Sequence, residues 1–136
     1  MLIISINFIS CSEDDSGSES TQESLLIGTW FLEGEIEDGV VQEVDDCEKQ
    51  NSLQFTSSKR FIETVYYNME GTDCVIDGID DTGIWKIENG TIIINWPDAD
   101  AGDDHSDSLS VIELTQTKLK FRQTYSDGFE DFTYTK

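Results

Sequence analysis

Basic residues are scarce: Lys plus Arg number 8 against 29 Asp plus Glu, a formal net charge of −21 over 136 residues. A surface this short of cations repels phosphate, which excludes nucleic acid as a partner. Proline occurs once and glycine ten times, too few for collagen-like or Pro-rich linker chains. Histidine occurs once and cysteine three times, which leaves little for catalysis and no zinc-site spacing. No apolar run approaches the ~20 residues that span a bilayer as a helix. No segment sustains a helical apolar period for ten residues, and no Gly-x-x-x-x-Gly-Lys loop stands ready to cradle phosphate. No cofactor is implied. What remains is a chain 37% hydrophobic, with three Trp, four Tyr and seven Phe. That is enough for the core of one small domain, so the charge does not make the chain disordered.

The N-terminus differs in kind from the rest. Met1 to Ser10 (MLIISINFIS) has seven apolar residues and no charge, as in the apolar stretch of a secretory signal. It lacks a positive leading region, so the expected start of the signal lies upstream; the alternative is a first strand. Ser12 to Ser24 follows without one aliphatic or aromatic side chain. Ile9-Ser10-Cys11 resembles the end of a bacterial lipobox, in which the cysteine is lipidated. Ser12-Glu13-Asp14-Asp15 resembles the acidic export signal of surface lipoproteins in Bacteroidetes-type bacteria. The resemblance implies a lipid anchor on Cys11, holding the protein to a membrane through buried methylenes, and an acidic, Ser-rich tether. If Cys11 carries lipid, Cys47 and Cys74 remain as an even pair, and an oxidising compartment favours their disulfide. Closing that loop of 27 residues would stabilise by roughly 3–4 kcal/mol. Two free buried thiols, or a metal site, are the other readings.

From Leu25 onward, short alternating runs are broken by turn residues every eight to twelve positions, which marks an all-β sandwich or barrel. The runs are Thr29 to Glu37, Ser52 to Thr56, Arg60 to Asn68, Cys74 to Ile79, Gly83 to Glu88, Thr91 to Trp96, Asp107 to Leu114, Lys118 to Tyr125 and Phe129 to Thr135. The first puts Trp30, Leu32 and Ile36 on one face. Asn89-Gly90 is the strongest hairpin signal, because both residues tolerate positive φ. Short connections favour an antiparallel up-and-down meander, and about eight strands suit a closed barrel without exposed edges. An immunoglobulin-like sandwich is the runner-up, although no Trp lies between Cys47 and Cys74.

Leu26-Ile27-Gly28-Thr29-Trp30 resembles the Gly-x-Trp opening of lipocalins. Asp45-Asp46-Cys47-Glu48-Lys49, Leu53-Gln54-Phe55, Gly83-Ile84-Trp85-Lys86-Ile87 and the final Phe132-Thr133-Tyr134 resemble the lipocalin-like domain of many Bacteroidetes-type lipoproteins. The resemblance covers about residues 25–136. It implies a lipocalin-like β-barrel with a hydrophobic ligand cavity, and a cation set against the first Trp, for which Arg122 is the candidate.

Chemistry is thin. His105 with Ser106 and Asp104 could be assembled into a triad, but neighbours in sequence rarely converge on one pocket. Asp98, Asp100, Asp103, Asp104 and Asp107, with Gly102, offer oxygens for a weak calcium site or form a solvated loop. Asp77, Asp80 and Asp81 are a lesser group. Trp30, Phe55, Phe61, Trp85, Phe121 and Phe132 either fill the core or line a barrel interior that binds ligand. Of the adjacent Tyr66 and Tyr67, one must face outward. The expected organisation is a signal remnant at 1–10, a lipidated and acidic tether at 11–24, and the barrel domain at 25–136. The expected protein is a non-enzymatic lipoprotein of the bacterial outer membrane that binds a small apolar or amphipathic ligand. The alternative is a filled barrel that binds a surface protein or glycan.

Overall fold

A computed structural model of the chain describes residues 16–71, 73–97 and 105–136, with the backbone alone at 16–20. The alternating runs become nine strands: β1 (Gly28–Glu37), β2 (Val40–Gln42), β3 (Ser52–Phe55), β4 (Arg60–Tyr67), β5 (Val75–Glu88), β6 (Thr91–Trp96), β7 (His105–Leu114), β8 (Lys118–Thr124) and β9 (Phe129–Thr135). All neighbours pair antiparallel, in the order β2-β1-β3-β4-β5-β6-β7-β8-β9, and β1 also pairs with β9. That last pairing, from Phe31↔Thr135 to Glu37↔Glu130, closes an eight-stranded barrel. β2 is the extra strand, laid beside the far end of β1. The antiparallel lipocalin-like barrel is therefore present and the sandwich is not.

Three local readings are corrected. Cys74 to Ile79 and Gly83 to Glu88 belong to one long strand, β5, not two. Gly83 is there for closeness and not for turning: a Cβ on it would lie 3.1 Å from Phe61 and Trp96 side-chain atoms. The Asp-rich stretch before it is absorbed as a bulge, where the β4–β5 register shifts between Phe61 and Glu63. Ile36 does not share the inner face with Trp30 and Leu32. A second bulge between Leu32 and Gly34 sets Glu35 opposite Phe132 and Ile36 opposite Asp131, which turns Glu35 inward. Finally, α1 (Ser16–Leu26) is a helix across the end of the stretch read as tether. Its Ser, Glu and Gln residues carry no apolar period, so only docking of its last turn marks it.

The Asn89-Gly90 turn is as expected, with φ of 49° and 73°, the twist that suits a two-residue hairpin. Asp38-Gly39, at 48° and 84°, closes the β1–β2 hairpin in the same way.

The barrel has two unlike ends. At one end lie α1, the β3–β4, β5–β6 and β7–β8 turns, and Lys136. Leu26, Trp30, Phe55, Trp85, Ile92 and Leu119 fill this half and are almost entirely buried. The Trp30 indole donates to the Leu26 carbonyl at 2.8 Å, and the Trp85 indole to the Thr56 carbonyl at 3.0 Å. Lys136 Nζ donates to the carbonyls of Leu25 and Ile27 at 2.7 and 2.8 Å and lies 4.2 Å from the centre of the Trp30 ring. Lys59 pairs with Glu23 of α1 at 2.7 Å. This end is sealed. The other end carries the β1–β2, β4–β5 and β8–β9 connections and the strand ends Trp96 and His105, and there Cys47 and Cys74 are joined as a disulfide. No helix among the described residues is long and apolar enough to cross a membrane.

Candidate functional site

The open half of the barrel is where inward side chains stop filling the interior. Leu53 on β3, Phe61 and Glu63 on β4, Ile94 and Trp96 on β6, Asp107 and Leu109 on β7, Phe121 and Gln123 on β8, and Phe132 and Tyr134 on β9 enclose a cavity of about 90 Å³. Each pair comes from positions two apart, as the strand period requires for one face. The aromatic rings of the wall form two groups. Phe121 stacks on Tyr134 with centroids 5.7 Å apart and tilts against Phe132 at 5.5 Å. Phe61 meets Trp96 edge-on at 5.5 Å.

Acids are set into this wall. The Trp96 indole donates to Asp107 Oδ2 at 2.7 Å, which holds that carboxylate at the cavity edge. Glu63 pairs with Asp80 across the β4–β5 ladder. Burial, and then the charges of Asp80 and Asp107, raise its carboxyl above the ordinary glutamate range. Burial likewise raises Glu35, with help from Glu130, Glu48 and Glu37. The Tyr134 hydroxyl is pushed well up, by burial first and by Glu63 and Glu35 after it. Tyr125 at the rim reaches about 12, through burial and its bond to Glu130. The side chains of Glu63, Gln123 and Tyr134 have no hydrogen-bond partner among the described residues, although Tyr134 is only 7% exposed.

The six aromatic residues singled out in the sequence divide between the two halves. Phe61, Phe121 and Phe132 line the cavity; Trp30, Phe55 and Trp85 pack in the sealed half. Tyr134 stood out only within the closing Phe132-Thr133-Tyr134 motif, and Glu63 and Gln123 not at all, although Glu63 stands two positions from Phe61 and so shares its inward face. An acid at a core position of a strand was the signal. Asp107, a member of the acidic group by sequence, stands on β7 in the cavity wall. Asp98, Asp100, Asp103 and Asp104 lie outside the described residues, as does Cys11. Among the described residues no group of three or more His, Cys, Asp or Glu is placed to hold a metal ion.

Arg122 is not the cation against the first Trp. Its guanidinium grips Asp131 at 2.7 and 2.9 Å and covers Phe129, on the outer face, while Lys136 occupies the place over Trp30. The Arg122 bond holds the Asp131 carboxyl below its ordinary range. His105 is exposed at the start of β7 and stacks on Trp96 at 6.2 Å. No hydrogen bond joins it to Ser106, and Asp104 is outside the described residues.

A family model described as a lipocalin-like domain matches residues 26–121. Two solved structures have the same fold. An uncharacterized protein from Bacteroides eggerthii is 21% identical, with a TM-score of 0.53, covering 82% of this chain and 98% of that one. A lipocalin-like protein from Bacteroides uniformis is 15% identical, with a TM-score of 0.56 and the same coverage. No curated protein matches the chain.

Proposed function

Because this chain belongs to the lipocalin-like domain family, we propose that it is a binding protein of the bacterial cell envelope, without catalytic activity, that takes a small amphipathic ligand at the open end of its barrel. One observation carries the reading: the interior of the open half is a cavity walled by aromatic rings, with Glu63, Gln123 and Tyr134 unpartnered at its lining. These polar groups reach the open cavity, where a ligand's polar head would replace the water that solvates them. The volume bounds that ligand. A cavity of about 150 Å³ holds a benzene ring, so about 90 Å³ admits a head group while the remainder lies along the mouth.

The lipobox resemblance at Cys11 and the acidic stretch after it support a lipid anchor and an outer-membrane location. The disulfide agrees with an oxidising compartment. The second reading, a filled scaffold for a surface protein or glycan, is favoured by the solid sealed half and by Val40 and Val41, which are 63% and 77% exposed. Native mass spectrometry of the protein purified from a bacterial envelope separates the two. A bound small-molecule mass, lost on unfolding, is the expected result. An apo mass that stays unchanged after exposure to envelope extract would favour the scaffold.

A further inference from the structure

The reading of the open half as a ligand pocket leaves the ligand's charge open, and the inference here rests on that reading. We infer that the pocket is a cation site, which receives the primary ammonium head of a small amine between Glu63 and Asp107 and lays the amine's apolar part on the aromatic wall.

Three observations point there. Glu63 and Asp107 line one cavity, and Asp80 faces Glu63 across the strand ladder. No basic residue lines that cavity. Six of the eight Lys and Arg residues, namely Lys59, Arg60, Lys86, Lys118, Lys120 and Lys136, lie on the sealed-end turns and strand ends. Of the other two, Arg122 is held by Asp131 on the outer face and Lys49 pairs with Asp46 in the β2–β3 connection. The carboxylates therefore lack an internal counter-ion. Second, the Tyr134 side chain, only 7% exposed, lines the cavity without a hydrogen-bond partner among the described residues, and its hydroxyl can accept from an ammonium. Third, the walls are the faces and edges of Phe61, Trp96, Phe121 and Phe132, and aromatic faces attract cations. An anion would face the charges of Glu63 and Asp107, and a neutral apolar ligand would leave Glu63, Gln123 and Tyr134 unpartnered.

Indole resonances of the isotope-labelled full chain make the test local, because the three Trp report on different halves. The probes are hexylammonium, 1-hexanol and hexanoate, of one length and three charges. Hexylammonium should shift the Trp96 indole, bonded to Asp107, and leave those of Trp30 and Trp85 in place. It should bind about tenfold more tightly than hexanol, and hexanoate should not bind. Glu63→Gln should weaken hexylammonium about tenfold and leave hexanol unchanged. Asp107→Asn, which keeps an acceptor for the indole, should also weaken the amine. Glu43→Gln, at an exposed loop acid, is the control for general attraction to an acidic surface and should change nothing.

Equal binding of hexanol and hexylammonium would overturn the cation site and leave the pocket standing. No Trp96 response to any of the three would overturn both. A Glu43→Gln loss as large as that of Glu63→Gln would assign the attraction to the surface field and overturn the site.

Discussion

The sealed and open halves of the barrel are built by the same strands and differ in what faces inward. In the sealed half, aromatic and aliphatic side chains fill the interior, every indole has a carbonyl, and lysines clamp the helix to the barrel. In the open half the same positions along β4, β7 and β8 become Glu63, Asp107 and Gln123, two of which lack a hydrogen-bond partner among the described residues. An eight-stranded barrel is just wide enough to be filled or to hold one small ligand. This one does the first at one end and leaves room at the other. Stability is concentrated where the packing is dense, and the candidate site sits where it is poorer, as binding regions are in general.

The sharpest way to break the comparison is to remove one ring from each half. Trp30→Ala should cost about 3–5 kcal/mol in denaturant unfolding, since its ring is fully buried and its indole bond is lost. Phe132→Ala, at a half-buried position beside the cavity, should cost clearly less. Equal losses would mean that the two halves are packed alike.

Next in size is the disulfide. Replacing Cys47 and Cys74 together by Ser frees a separation of 27 residues and should cost about 3 kcal/mol. Hydrogen exchange should then rise in the connections of the open end and stay slow around Trp30 and Trp85. A uniform rise across the barrel would show that the staple supports both halves.

Lys136→Met should cost about 1 kcal/mol, because two bonds to helix-end carbonyls and a contact with the Trp30 ring disappear. Faster exchange of α1 amides, without change at the mouth, is the local signature. Helix amides that exchange at the original rate would separate Lys136 from the seal.

The smallest effect tests the acids. The folded state raises the Glu63 pKa above its ordinary 4.5, so the folded chain holds that proton more tightly than the unfolded one. Stability therefore falls as pH rises from 4.5 through the raised value, and returns on acidification. Asp131 runs the other way: its contribution is present above the ordinary 3.8 and is lost as pH falls through its lowered value. Glu63→Gln should stabilise the protein at neutral pH by less than about 0.5 kcal/mol and flatten the upper slope. A destabilised variant with an unchanged slope would remove Glu63 from the interior.

Much of the fold was legible because strand alternation and turn chemistry are local. Asn89-Gly90 announces its hairpin, and the runs around Trp85, Phe121 and Tyr134 announce their inward faces. What escaped depends on partners distant in sequence. Gly83 reads as the start of a separate strand until Phe61 and Trp96 are seen crowding it within β5, and the bulge that turns Glu35 inward exists only in the pairing with β9. The helix over Ser16–Leu26 has no apolar stripe to betray it. In the site, the rings were visible and the acids were not, because 29 acids in one short chain hide the few that point inward. Lys136 was missed for a similar reason: a terminal lysine looks solvated until its contact with the first Trp is drawn.

The uneven distribution of lysine and arginine has an electrical consequence. With six of the eight cations around the sealed end and carboxylates crowding the mouth, the barrel carries a dipole moment along its axis in addition to its net charge. Near an anionic surface such a molecule feels a torque that turns the sealed pole toward the surface and the mouth away. The chain also enters the barrel through α1 at that same pole, so a hold on its N-terminal side would impose the same orientation mechanically.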